Sequence, residues 1–336
     1  MRRPLRPRRR ARAGARSPRT ETELRGRLAV FAPSPLLTIT IEPGSDRPEV
    51  HLHAGGQGVW AARLAATLGA EVMLCCALGG EPGRVLRGLI EAEAVNLRAA
   101  AGGTPNGVYI HDRRGGERTE VVSVDSRQLE RHATDELYGI ALGAGLDADV
   151  TMVTGCRPSD IIGADLSRRL VSDLRANGKV VIADLTGPPL RATLAGGVEL
   201  LKLSDEELVL ERYATGDAVP ELIAAAQGLR AAGARRVLVS RGSTPALLID
   251  ADYDQPVELV PPAFEALDEH GAGDSMFAAT GVGLARGMPM IEAVRLGIAA
   301  GALNATRRGL RTGTREETER LAAHVSVIRR DGLPVG

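Results

Sequence analysis

Asp268 to Gly287 reads DEHGAGDSMFAATGVGLARG, and it gathers the residue types needed to move a proton beside a bound anion. Gly271, Ala272 and Gly273 are small, so their backbone N–H groups can approach a ligand closely. Ser275 to Arg286 offers Ala, Met, Phe, Val and Leu for the buried face of a helix. The glycines should therefore lead into a helix N-terminus, where unpaired N–H groups and the helix dipole both favour an anion. Asp274 follows at once, and a carboxylate there would repel that anion. The placement is wasteful for binding alone. It makes sense for a base that takes a proton from a hydroxyl about to attack a phosphate. Read without context, the same residues also describe a tight turn with Asp274 as a helix cap.

Three further stretches carry polar or glycine-rich groups at places where strands should end. Gly55-Gly56-Gln57-Gly58 precedes the helix expected over Val59–Leu68. Leu201-Lys202-Leu203-Ser204-Asp205-Glu206-Glu207 closes an apolar strand and opens a helix, with Ser204 in N-cap position and acids in the first turn. Val239-Ser240-Arg241-Gly242-Ser243 ends a later strand. In an open parallel sheet, ligands bind beyond the carboxyl ends of strands, so these ends are expected to converge with the glycine turn.

The elements that must position them alternate in type. Leu28–Pro33 reads as a buried strand, and Leu37–Glu42 and Val50–His53 pair across the turn PGSDRP. Glu71–Leu78 is a strand and Gly83–Ala94 a helix. Leu97 to Val124 interrupts the alternation, with Val108–His111 and Thr119–Val124 as strands around a hairpin turn. Segments of about 36–54 and 97–124 are therefore expected to form a small antiparallel lid. Beyond Leu137 strands at Val150–Thr154, Val180–Asp184, Val198–Leu203, Arg236–Ser240, Ala246–Asp250 and Val257–Val260 alternate with helices such as Asp165–Asn177 and Pro220–Ala232. Met290–Arg307 and Glu316–Val327 read as amphipathic helices. This is the pattern of a parallel sheet with crossover helices.

Composition agrees. With 44% hydrophobic and 25% charged residues the chain is globular, and with only 2% aromatics its core must be built from Ala, Val, Leu and Ile. Net neutrality conceals an asymmetry. Residues 1–27 hold eleven arginines against two glutamates, a surplus of nine positive charges, so the remainder carries nine negative charges. An acidic folded part argues against nucleic-acid binding. Residues 1–27 are expected to be a disordered basic tail, and 331–336 a C-terminal tail. No stretch approaches a membrane span. Cys75, Cys76 and Cys156 form neither a disulfide framework nor a metal motif, which fits a cytoplasmic protein.

Asp268, Gly271, Ala272, Gly273 and Asp274 match the signature D-x-x-G-A-G-D of the PfkB (ribokinase-like) carbohydrate kinases, and Gly55-Gly56-Gln57-Gly58 resembles that family's N-terminal G-G-x-G. Lys202 and Glu207 match its K-P-N-x-x-E segment, with Ser204 in place of Asn, and Ser240 and Gly242 match its V-[ST]-x-G strand end. The resemblance spans about residues 28–330 and is nearest the 1-phosphofructokinase and tagatose-6-phosphate kinase branch. It implies a ribokinase-like three-layer α/β sandwich: a mainly parallel central sheet with helices on both faces and a small β lid. It implies ATP and Mg²⁺ as cofactors and a sugar or sugar phosphate as acceptor, with Asp274 as general base and the Gly271, Ala272 and Gly273 amides stabilising the transferring phosphoryl group. Glu207 would serve the metal. Lys202, Ser204, Ser240, Gly242 and Asn304 would serve the nucleotide, with Gly309 beside Asn304 at the adenine. Gly55, Gly56 and Gln57 would contact the acceptor.

The branch's acceptor-side groups are replaced. Its sugar-binding Asp falls on Leu36, its G-G-K-G-x-N becomes Gly55 to Trp60 without Lys or Asn, and its T-R becomes Thr104-Pro105. These changes predict a less charged acceptor pocket. They also motivate a second reading, a non-catalytic sugar- or nucleotide-binding homologue acting as a sensor or partner subunit. Retention of Asp274 argues against that reading. A dinucleotide-dependent oxidoreductase is a poor third, since no G-x-G-x-x-G follows the first strand. An exposed lid face suits a homodimer.

Overall fold

Short, mostly apolar runs such as VVIAD and RLAVF can be stable only where both faces of a strand are covered. The computed structural model describes residues 25–253, 255–307 and 313–329, so the expectations for 1–24, Gly309 and 331–336 lie outside the described residues. Within them, β1 (Arg27–Phe31), β2 (Leu36–Glu42) and β3 (Glu49–Gly55) precede α1 (Gln57–Thr67), β4 (Glu71–Leu78), α2 (Gly80–Glu91) and β5 (Asn96–Ala101). Next come β6 (Val108–Asp112), β7 (Thr119–Val124), α3 (Arg131–Asp147), β8 (Val150–Thr154), α4 (Ala164–Ala176), β9 (Val180–Asp184), α5 (Gly187–Gly196), β10 (Val198–Ser204) and α6 (Asp205–Leu210). The chain continues through α7 (Val219–Ala231), β11 (Ala234–Ser240), β12 (Ala246–Asp250), β13 (Val257–Val260), α8 (Ala272–Ala285), α9 (Met290–Ala305), α10 (Arg315–Ala322) and β14 (Ser326–Arg329).

Ten strands form the main sheet in the order β14-β13-β12-β11-β10-β9-β8-β1-β4-β5. Pairing is parallel from β11 to β5 and antiparallel from β11 out to β14. Each face has its own apolar core. Phe277 and Val282 of α8 pack with Val59 and Leu64 of α1 on one side. Leu137 of α3, Leu170 and Leu174 of α4 and Leu222 of α7 fill the other. Helix–sheet–helix layering is thus the α/β sandwich expected from the sequence.

Three expectations are corrected. Residues 97–101, assigned to the lid, instead belong to β5 and pair in parallel with β4 at the edge of the main sheet. The run NLRAAA has little β-branched character, so its strand state comes from the partner rather than from propensity. The small sheet, in the order β3-β2-β6-β7, is mixed rather than antiparallel, because β2 and β6 leave the body in the same direction and pair in parallel. Finally, the helix expected over Glu316–Val327 ends at Ala322, and Ser326–Arg329 adds a strand to β13.

The close seating of α9 on α8 fixes the start of α8. A Cβ on Gly297 would fall 2.2 Å from Thr280 Oγ1 and 2.6 Å from the Met276 carbonyl, and one on Gly301 2.9 Å from the Ala272 carbonyl. Only glycine permits that approach.

Candidate active site

Register brings the charged groups together. In the pairing of β9 with β10, Leu200 stands opposite Ile182 and Leu201 opposite Ala183, which carries Lys202 alongside Asp184. Lys202 Nζ lies 3.0 Å from Asp184 Oδ2, and both side chains are almost wholly buried. Gly271 caps α8 with φ 80°, a left-handed conformation that favours glycine. Ala272, Gly273 and Asp274 then occupy the first turn of α8, whose amides have no acceptor within the helix. Of these, Ala272 N–H donates to the Glu269 carbonyl at 3.2 Å, so that amide serves the turn itself. A Cβ on Gly273 would lie 2.8 Å from Lys202 Nζ, so the turn and the ammonium group are in direct contact.

Asp274 meets two more acids here. Burial, then Asp184 and Glu207, push its carboxyl up to about 7, against the opposing pull of Lys202 and of a hydrogen bond from Gln57. Burial also raises Asp184, to about 6, with Lys202 opposing. Burial would lower Lys202, yet Asp184, Glu207 and Asp274 together hold it above its ordinary range. Lys202 is therefore charged, while Asp274 sits near the middle of its titration at neutral pH.

Lys202, Ser204, Glu207, Ser240, Gly242, Ala272 and Gly273 line one cleft of about 420 Å³. A larger groove of about 750 Å³ lies among α5 and α7 and touches none of these strand ends. Ser204 and Glu207 close a capping box: Glu207 N–H donates to Ser204 Oγ at 3.0 Å, and Ser204 N–H donates to Glu207 Oε2 at 2.7 Å. The cap described by the sequence is thus present, and Glu207 faces the cleft as well. Ser240 Oγ donates to the Leu203 carbonyl at 3.5 Å, tying β11 to β10 at the cleft floor. Among the described residues no three His, Cys, Asp or Glu side chains converge as a metal cage.

Gln57, at the start of α1, reaches the same centre. Gly155 N–H donates to its Oε1 at 3.1 Å, and its amide favours the charged forms of the neighbouring Asp184 and Asp274. Gly56 is the α1 N-cap with φ 97°, and Gly55 is buried against Thr38. Asn304 stands apart. It is buried outside the cleft lining, and its Nδ2 donates to the His270 carbonyl at 2.7 Å, so it braces the glycine turn from behind. Trp60 stacks under Arg63, 4.2 Å from ring centroid to guanidinium, and Arg63 pairs with Glu93. Trp60 therefore packs at the base of the small sheet. Asp184 was not singled out from the sequence; a carboxylate ending an apolar strand was the available signal.

The family described as pfkB family carbohydrate kinase matches residues 41–317. The chain is 31% identical over 325 residues to the ATP-dependent 6-phosphofructokinase isozyme 2 of Mycobacterium tuberculosis, covering 91% of this chain and 92% of that one. It is 30% identical over 263 residues to the 1-phosphofructokinase of Rhodobacter capsulatus, covering 74% of this chain and 78% of that one. The crystal structure of a point mutant of phosphofructokinase-2 from Escherichia coli superposes with a TM-score of 0.77 at 27% identity, over 89% of this chain and 99% of that one. Among the described residues no helix is long and apolar enough to cross a membrane.

Proposed function

This chain belongs to the pfkB family of carbohydrate kinases, and from that premise we propose that it transfers the γ-phosphate of ATP to a hydroxyl of a sugar or sugar phosphate with Asp274 as general base. One observation carries the assignment. A carboxyl raised to about 7 stands in the first turn of a helix whose N-terminal amides open beside a buried lysine. A base near neutrality can both hold and release a proton at working pH. The amides of Gly273 and Asp274 and the Lys202 ammonium offer fixed positive charge where a transferring phosphoryl group gains negative charge. Gln57 holds Asp274 in place and lies on the acceptor side. Gly55 and Gly56 bring backbone close to the acceptor.

The acidic cleft fits a divalent cation. Glu207, Asp205 and Glu206 line it without forming a cage, as suits Mg²⁺, which keeps several waters and takes its other ligands from phosphates. Magnesium would neutralise phosphate charge there, with Glu207 holding its water shell. In this reading Ser240 and Gly242 flank the phosphates, Ala302 and Ala305 of α9 line the nucleotide end, and Asn304 supports the turn. The small sheet acts as the lid that keeps water from the reacting phosphate.

The test is ADP release from Mg-ATP against a panel of sugars and sugar phosphates. Asp274→Asn is expected to lower turnover by roughly 10²–10⁴-fold while ATP binding, measured by calorimetry, persists. An unchanged rate in the variant would remove Asp274 as the base.

A further inference from the structure

Away from the catalytic cleft, three segments that each adjoin a site residue share a second cavity. α5 begins just past Asp184, α6 carries Glu207, and α7 leads into β11, which ends at Ser240. The groove of about 750 Å³ lies where α5, α7 and the chain just past α6 meet. Small-molecule sites typically enclose about 300–1,000 Å³. Leu194, Ala225 and Leu229 are buried and give the groove an apolar floor.

Two polar groups on its walls are unused. Arg191 is exposed on α5 and forms no ion pair among the described residues. Tyr213 packs against the core beneath, and its hydroxyl is buried with no hydrogen-bond partner among the described residues. Buried polar atoms are nearly always paired, so this one marks a contact left open. The acid in the groove is already engaged, because Thr215 Oγ1 donates to Glu221 Oε2.

The wall that holds Tyr213 is strained. Arg212, immediately before it, takes φ 62° and is the one non-glycine residue with positive φ among the described residues. Side chains disfavour that region, so the surrounding structure must impose it. The ties run to α6. The Tyr213 and Ala214 amides donate to the Leu208 carbonyl at 2.9 and 3.0 Å, and Leu208 follows Glu207, which lines the catalytic cleft. A movement of Tyr213 therefore pulls on the short helix that presents Glu207.

We propose that this groove is an effector site for a small organic anion with an apolar body. The body lies on Leu194, Ala225 and Leu229, the anionic end meets Arg191, and an acceptor on the ligand takes the Tyr213 hydroxyl. Ala224 and Gly228 present little side chain along α7, which leaves room for that body. Occupancy shifts Tyr213, and through α6 it changes how Glu207 serves the nucleotide. Binding in the groove is independent of the kinase reading, and only the effect at Glu207 rests on it.

Titration of the full chain with anilinonaphthalene sulfonate, followed by fluorescence, and its displacement by octanoate test the site. Saturable binding of the dye that octanoate reverses is expected. Gly228→Leu fills the groove without disturbing the fold, since a Cβ there meets nothing within 4 Å. It should weaken both probes roughly tenfold by occupying their volume. Arg191→Ala should weaken octanoate by roughly threefold, as suits one exposed ion pair. Saturating octanoate should shift the affinity for Mg-ATP, read by calorimetry, by roughly fivefold in wild type and not in Gly228→Leu. No saturable binding, binding that either variant leaves unchanged, or an ATP affinity that octanoate does not move would each overturn the proposal. A change of mass in Gly228→Leu by light scattering would overturn it too, by making the groove an interface between chains. If octanoate binds and shifts ATP as expected but no sugar elicits ADP release, the effector site stands and the kinase assignment falls.

Discussion

Asp274 serves two opposed demands, and the conflict can be measured. Its carboxyl is raised to about 7 from an ordinary 3.8, because burial and the neighbouring Asp184 and Glu207 disfavour the charge. As a base it must be deprotonated, so kcat/KM is expected to rise with pH along a limb centred near 7. Stability moves the other way. Between the ordinary and the raised values the folded state keeps a proton that the unfolded state has lost. This contribution is therefore complete below about 4 and is lost as pH rises through about 7. Asp274→Asn should consequently lose less melting temperature between pH 5 and pH 8 than wild type does, as differential scanning calorimetry would show. A steeper loss in the variant would contradict the raised carboxyl. Gly273 meets a steric form of the same crowding. A Cβ there would sit 2.8 Å from Lys202 Nζ, and Lys202 cannot retreat without leaving Asp184. Gly273→Ala should cut turnover tenfold or more with the fold intact, read by steady-state kinetics beside circular dichroism.

At the scale of elements, the site depends on how closely α9 lies on α8. Replacing Gly297 by Ala would gain about 1 kcal/mol of helix propensity. The added Cβ would meet Thr280 Oγ1 at 2.2 Å and the Met276 carbonyl at 2.6 Å. Overpacking against backbone costs about 1–3 kcal/mol, so the clash wins. Gly297→Ala is expected to lower the denaturation midpoint and, by moving the first turn of α8, to reduce turnover as well; a stabilised variant would show that the helices can part freely. Much of this layer was readable in the sequence. Strands such as VVIAD and ARRVLVS announce themselves as apolar, β-branched runs ending in polar residues, and GAGD marks the turn. What the sequence hid was pairing. β5 reads as an unremarkable alanine-rich stretch until β4 supplies its partner, and β14 continues a helical periodicity until β13 offers an edge. Asp184 became part of the site only through the register of β9 on β10. The cap at Ser204 was legible because capping is local, whereas the partner of the buried Asn304, the His270 carbonyl, lies 34 positions away and was hidden.

For the molecule as a whole, the small sheet leaves an apolar face turned to solvent. On this outer face Val50 is 58% exposed, Leu52 43%, Val122 42% and Val124 54%, on the two outermost strands β3 and β7. Leu37 and Ala54, at the base of the same face, are buried in the core, so the face is continuous from core to solvent. Isolated exposed apolar residues need no explanation, but a contiguous stripe on one sheet face invites a partner. A second copy is the simplest occupant, because a two-fold axis lets one stripe cover its own image. We therefore expect a dimer by light scattering, and Leu52→Asp combined with Val122→Asp should halve the mass, since each would place a charge in an apolar contact. The variant should fold normally, because Leu52 is 43% and Val122 42% exposed before substitution. A wild-type protein that is monomeric at micromolar concentration would leave the stripe to another partner.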